Sequence, residues 1–325
     1  MRSVRVFAPA TIGNIGPGFD VLGLAITSLG DYVDANEAAS GVRILEMTGF
    51  NGGIPLEADK NTAAIAAQRV LDLLHVGAGV ELTIHKTVPT AAGLGSSAAS
   101  AAAGAFAVNE LYGGGLTPTD LIFPATVAEA AVSGDFFADN TAPALLGGAT
   151  LTRCREPLDV IKLGSIRDLV IVIVTPDFQI TTKHAREILP EQIPLKAFVE
   201  NMANSCLMVA AFTKGDLSLL GRCINDVVIE PVRAKLIPGF YDVKHAALEA
   251  SAYGCSISGA GPSVFAITDT VGKADYIGRA MKAAFGERGT DSTVYIAKAE
   301  EEGAKVVRDE VAFPVHRVRG HVSSG

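Results

Sequence analysis

Tryptophan is absent from the 325 residues, and aromatic side chains make up only 6% of them. The core is therefore not built on large aromatic anchors. Cysteine is scarce too: Cys154, Cys206, Cys223 and Cys255 stand far apart, with no Cys-x-x-Cys pair. That spacing argues against a disulfide framework and a zinc site, and points to a reducing cytoplasm. None of the six histidines (His75, His85, His184, His245, His316, His321) has metal-ligand spacing. No apolar run approaches the roughly 20 residues of a membrane span, and MRSVRVFAPA at the start does not read as a signal peptide. A basic excess is missing as well. The formal net charge of -8 excludes a broad nucleic-acid-binding face. Any phosphate handled here must be met by a local pocket of backbone donors and a few cations.

What the chain has in quantity is small and apolar. It is 49% hydrophobic and carries 34 glycines, enough for a generous core with tight backbone packing. Its length fits two domains of ordinary size or one large one. Internal repeats are not evident.

Val4 to Ala8 alternates as a short strand that Pro9 ends, and TIGNIGPGFDVLGLAI reads as a glycine-rich loop that must come close to something. Val42 to Thr48 and Gly79 to Lys86 read as strands, with a helix from Thr62 to Leu74 between them. Ser97 to Leu111 suits a helix closed by three glycines. A second helix spans Thr119 to Val132 with Thr117 or Thr119 as N-cap, and Leu145 to Thr152 returns as a strand. Leu169 to Thr175 is an unbroken β-branched run, hence a buried strand. Beyond it, helices at Lys196 to Thr213, Leu217 to Ile224 and Tyr241 to Tyr253 mix with strands at Cys255 to Ser258, Ser263 to Thr268 and Ser292 to Ala297. The mixture predicts an α+β chain with a split βαβ arrangement. One domain covers 1–164, a second 165–310, and a basic tail 311–325.

Pro89 to Ser100, PTAAGLGSSAAS, carries the most chemistry. A strand feeds a glycine-rich turn and the turn feeds a helix, whose unpaired N–H groups and positive dipole end attract phosphate. Gly93 and Gly95 free the backbone to wrap a phosphate, and Ser96 and Ser97 add hydroxyls. On spacing alone, a strand-to-helix turn with a serine N-cap accounts for the segment equally well. No GxxxxGK[ST] occurs anywhere, which excludes a P-loop NTPase, and no GxGxxG opens a first βα unit.

The segment does resemble the PxxxGLGSSAA signature of the GHMP kinases. Ala8 to Ala25 (APATIGNIGPGFDVLGLA) and Ala138 to Gly148 (ADNTAPALLGG) resemble two further motifs in the order found in the homoserine kinase subfamily. AREILP, IEPVR and Ile257 to Ser263 complete a set reaching from Val4 to about Val307. The resemblance implies a two-domain GHMP kinase fold: an N-terminal domain with a left-handed βαβ unit, a ferredoxin-like C-terminal domain and a cleft between them. It implies ATP and Mg²⁺ as cofactors, L-homoserine as substrate and a homodimer. A mevalonate-type kinase and a non-catalytic metabolite sensor of the same fold are the alternatives. A sensor would be expected to lose its metal carboxylate or phosphate loop, and neither is lost.

The same resemblance assigns roles. Pro89, Ala91, Ala92, Gly93, Leu94, Gly95, Ser96 and Ser97 would cradle the nucleotide phosphates, supported by Gly259 and Gly261, with Asn61 at the adenine and Lys86 nearby. Ser97 and Glu129 would hold Mg²⁺, an ion that takes few protein ligands. Asp20, with Asn14, would meet the substrate ammonium, Arg186 and Arg233 its carboxylate, and Thr182 and Asn140 its reactive end. Each also has a plain reading: Asn61 as a helix N-cap, the arginines as surface ion pairs, Glu129 as a solvated helix residue. The hydroxyl proton passes either to Asp139 or directly to a phosphoryl oxygen. His184, between Thr182 and Arg186, is the histidine nearest the candidate site. Three positions depart from the usual motifs. Ala91 and Ala92 replace a glycine and a serine, and Phe137 stands where a histidine is common, which removes a polar contact beside the substrate.

Overall fold

The structure, a computed structural model, describes residues 2–50, 53–154 and 157–308. The predicted tail 311–325 lies outside them.

The described residues build two sheets. The first holds β1 (Ser3–Gly13), β2 (Leu22–Ala38), β3 (Val42–Gly49), β4 (Gly79–Lys86), β5 (Ala149–Arg153), β6 (Asp159–Gly164) and β11 (Lys305–Val306), in the order β11-β1-β2-β4-β3, with β5 on the first part of β2 and β6 on β5. The second holds β7 (Val170–Pro176), β8 (Gly254–Ile257), β9 (Val264–Thr268) and β10 (Ser292–Lys298), in the order β10-β7-β9-β8. All its pairs are antiparallel. That order, with helices between β7 and β8 and between β9 and β10, is the ferredoxin-like split βαβ. β3 and β4 are parallel and joined through α1 (Thr62–Leu73), as a parallel pair requires.

Four helices cover the first sheet: α1, α2 (Ser96–Tyr112), α3 (Ile122–Ser133) and α4 (Thr141–Leu146). The second lobe carries α5 (Thr182–Glu187), α6 (Leu195–Lys214), α7 (Leu217–Cys223), α8 (Glu230–Arg233), α9 (Phe240–Glu249) and α10 (Val271–Glu287). The alanines of α2 are buried on nearly every side, and Gly104 lets α1 approach so closely that a Cβ there would collide with the Ala63 carbonyl.

Period-two alternation ties the lobes together. Val170, Val172 and Val174 of β7 join the core under α9 and α10. Ile171 and Ile173 join a second core with Ala10, Ile12, Leu22 and Leu24 of the first sheet. That shared core holds the two sides of the cleft in register.

Several local expectations need correction. Pro9 does not end β1: the strand continues to Gly13 with a bulge between Pro9 and Ala10. Val6 and Ala8 lie in one core and Ala10 and Ile12 in the other, so the bulge marks where β1 passes between them. β2 has no clean alternation to betray it, because its first half is buried on both faces. Leu145 and Leu146 finish α4, and the strand begins only at Ala149. Neither threonine caps α3, whose N-cap is Leu121; Thr117 instead closes a turn on Asp120. α10, left out of the reading of the second half, shows helical spacing at Ala274, Ile277, Met281 and Phe285.

Candidate active site

A cleft of about 480 Å³ opens where the 87–95 loop of the first lobe meets the 258–263 loop of the second. Gly95 is the N-cap of α2, with φ +62° and no side-chain cap. Ser96 is not a cap; its hydroxyl donates to the Val88 carbonyl at 3.1 Å. No side chain therefore caps the first turn of α2, which lines the cleft. Gly93, at φ +77°, packs so tightly that a Cβ would strike the Ser258 carbonyl. The loop is tied across the lobes by Ser258 Oγ to Gly93 O at 2.7 Å, Ser263 N to Ala92 O at 3.2 Å and Ile180 N to Ala91 O at 3.3 Å. Ala91 has φ +52°. The alanine found in place of a glycine thus holds a left-handed conformation at a cost of about 1 kcal/mol.

Ser97 Oγ donates to Glu129 Oε2 at 2.9 Å. Glu129 Oε1 is buried without a hydrogen-bond partner among the described residues, and burial pushes the carboxyl up to about 7. A desolvated carboxylate with a spare oxygen beside a hydroxyl is a donor set suited to a hard cation. Among the described residues, no group of three or more His, Cys, Asp or Glu could hold a metal.

Lys86 is only 3% exposed. Its ammonium binds Asp31 Oδ2, the Ser96 carbonyl at 2.7 Å and Ser100 Oγ at 2.8 Å. All three of its donors are engaged from beneath the glycine-rich loop. Asn61 caps α1 through Ala63 N at 3.1 Å, and its amide donates to Pro55 O at 3.0 Å.

At the other end of the cleft, charged groups converge. Arg186, on α5, forks the Asp20 carboxylate at 3.0 and 2.8 Å, and its Nε lies 2.9 Å from Asp135. Phe137 does not simply remove a polar contact: its ring covers the Arg186 guanidinium at 4.5 Å. Arg233, on α8, is buried and donates to Gly259 O at 2.8 Å and to Ala185 O at 3.3 Å. Burial, and then the charge of Arg186, pull it down to about 10. Asn14 Nδ2 donates to Gly259 O at 3.0 Å, and its Oδ1 accepts from Asp20 N at 3.1 Å. Asn14 thus shapes the left-handed turn (φ +69° at Asn14, +60° at Asp20) that aims the Asp20 carboxylate.

Asp139 and Asn140 open α4 beneath these groups. Thr11 Oγ1 donates to Asn140 Oδ1 at 2.7 Å, and Asn140 Nδ2 to Asp139 Oδ2 at 3.2 Å. A Cβ on Gly13 would lie 2.6 Å from Asp139 Oδ2, so glycine there makes room for the pair. Burial, reinforced by the Asp20 charge, pushes the Asp139 carboxyl up to about 7.

Of the candidate residues, all line the cleft except Pro89 and Gly261, which shape its loops. Thr182 lines it at the start of α5, whose N-cap is Thr181. His184 is exposed, within 4.0 Å of Glu187, and does not line it. Asp31, Asp135, Phe19 and Asp226 are absent from the sequence reading. Asp31, a fully buried acid inside β2, signals that a buried cation must answer it. Asp226 accepts from the backbone of Val228, Ile229 and Glu230 at 2.8 to 3.0 Å, holding the helix that presents Arg233.

The GHMP kinases N terminal domain matches residues 61–148 of this chain, and the GHMP kinases C terminal region matches residues 208–287. The homoserine kinase of Chloroherpeton thalassium is 40% identical over 319 residues, spanning 94% of this chain and all of the relative. That of Arabidopsis thaliana is 44% identical over 314 residues, 94% of this chain and 85% of the relative. The crystal structure of homoserine kinase from Cytophaga hutchinsonii aligns with TM-score 0.90 at 44% identity, covering 94% of this chain and 98% of that one.

Proposed function

Because this chain belongs to the GHMP kinases, in their homoserine kinase branch, we propose that its cleft transfers the γ-phosphoryl group of ATP to the hydroxyl of L-homoserine. The product is O-phospho-L-homoserine. One observation carries the assignment at the level of side chains: Asp20, Arg186 and Arg233 converge in the cleft that the first turn of α2 lines. An acid and two guanidinium groups match the ammonium and carboxylate of an amino acid; a mevalonate-type substrate offers the carboxylate but has no ammonium for Asp20. A phosphate loop and a spare carboxylate oxygen on Glu129 disfavour a non-catalytic sensor.

The first turn of α2 and the 91–97 loop receive the phosphates, and the partnered Asn61 closes the nucleotide end. Glu129 and Ser97 would hold Mg²⁺, which when bound neutralises charge on the β- and γ-phosphates. Asp20 takes the ammonium, and Arg186 and Arg233 the carboxylate. With the substrate so fixed, Asn140 and Thr182 orient the hydroxyl, and positioning supplies much of the rate. Asp139 is the acid placed to take the hydroxyl proton, since a carboxyl raised to about 7 is a stronger base than an exposed one. We place the domain boundary at residues 164 and 165, between β6 of the first sheet and β7 of the second, and the enzyme in the cytoplasm as a homodimer.

The test is ATP consumption by the purified protein with L-homoserine, mevalonate, serine or threonine. Consumption with homoserine, and phosphohomoserine as product, is the expected result. Consumption with mevalonate alone, or with none of the four, would sink the reading.

A further inference from the structure

Phe19 lies between two positive charges. Its ring centroid is 5.2 Å from the Arg186 guanidinium and 5.1 Å from that of Arg233. Two guanidinium ions held this close repel one another, and Arg186 is the largest influence after burial pulling Arg233 down. An aromatic ring offers each cation a face of negative potential. The ring thus adds to the Asp20 carboxylate, which Arg186 forks, in keeping both arginines charged and near each other. Phe19 itself has little freedom. The preceding Pro17 carbonyl accepts from Asn201 Nδ2 at 3.0 Å and Ser205 Oγ at 2.8 Å, both on α6. The following Asp20 N–H donates to Asn14. Phe137, from the loop before α4, covers Arg186 with a second ring. Phe137 lines the cleft; Phe19 does not.

We propose, on the homoserine reading above, that Phe19 is a positioning residue. It joins Arg186 and Arg233 into a single two-armed grip for the substrate carboxylate, with Phe137 covering Arg186 as well. Without the ring of Phe19, mutual repulsion separates the two arms. Arg186, already forked by Asp20 and close to Asp135, is then no longer held toward Arg233.

The experiment compares Phe19→Leu and Phe19→Tyr with the parent protein, using L-homoserine and the amino diol 2-aminobutane-1,4-diol, which lacks the carboxylate. Loss of two cation–π contacts raises the KM for homoserine roughly tenfold in Phe19→Leu. The KM for ATP stays unchanged, the tyrosine variant recovers most of the loss, and the amino diol reacts alike with all three proteins. An equal loss on both substrates, or an ATP KM that rises in step, would overturn the proposal. If Phe19→Leu does not fold by circular dichroism, Phe19→Met takes its place and the same contrast between substrates decides. A parent protein inactive with homoserine would instead overturn the substrate reading itself, an outcome visible before any variant is made.

Discussion

Arg186 and Asp20, 166 residues apart in sequence, face each other in the cleft through two parallel hydrogen bonds of 3.0 and 2.8 Å. The group proposed to hold the substrate carboxylate and the group proposed to hold its ammonium are therefore each other's partner. An incoming amino acid exchanges one internal ion pair for two intermolecular ones, so the charge of the site is balanced before and after binding. A ligand with only one of the two charges leaves a half-buried partner unanswered.

Arg186→Ala should therefore do more than remove one contact. It unpairs Asp20 in the free protein and leaves the substrate carboxylate with Arg233 alone, the latter costing about 3 kcal/mol, a fall of roughly 100-fold in kcat/KM for homoserine. Adding Asp20→Ala should cost less than the two separate losses combined, because the residues act as a unit. Additive losses in the double-mutant cycle would show that the pair does not act in binding.

The carboxyl of Asp139, raised from an ordinary 3.8 to about 7, makes a pH prediction with a definite sign. The folded state holds this proton more tightly than the unfolded chain. The group's stabilising contribution is thus complete below about pH 4 and lost as the pH rises through about 7. Asp139→Asn should gain in melting temperature relative to the parent between pH 5 and pH 8. In activity, the parent should show a rising limb in kcat/KM near pH 7 that the variant lacks. A variant with near-normal turnover and the same limb would assign the proton to a phosphoryl oxygen instead.

Lys86 should behave as a structural cation. Lys86→Met strands Asp31 in the core at a cost of about 3–5 kcal/mol, read as a lowered urea midpoint, while the KM for ATP changes little. An unchanged midpoint with a large rise in ATP KM would reverse that assignment and make Lys86 a nucleotide ligand.

Gly104 reverses a general rule. Alanine for glycine inside a helix normally adds about 1 kcal/mol. Here the new Cβ meets the Ala63 carbonyl on the neighbouring helix, so Gly104→Ala should destabilise by about 1–3 kcal/mol of overpacking. Thermal unfolding decides it by the sign alone.

The local signals that the sequence could carry were strong where one segment does one job. The β-branched run before Pro176, the glycine-rich turn between β4 and α2, and the alanine helix after it were all legible, because backbone geometry follows from neighbours within a few residues. β2 was not, because burial on both faces erases the alternation that exposes a strand. Phe137 read as a missing polar contact and became an aromatic cover for Arg186. Lys86 read as a residue near the nucleotide and was found tied to Asp31.

From its sequence alone, this chain's α+β class and its glycine-rich strand-to-helix turn were legible, since spacing along the backbone suffices for both; the residue roles at the site came from the resemblance of its motifs to the GHMP kinases. Only the tertiary structure decided which charges meet which. Asp20 with Arg186, Lys86 with Asp31, and Phe19 between two arginines are pairings across 55 to 214 positions of chain. Burial then sets their strength, because a charge removed from water must be answered by whatever the fold brings beside it. The glycine-rich loop itself shows the division: its glycines are legible in sequence, but the Ser258 and Ser263 contacts that hold it come from the other lobe.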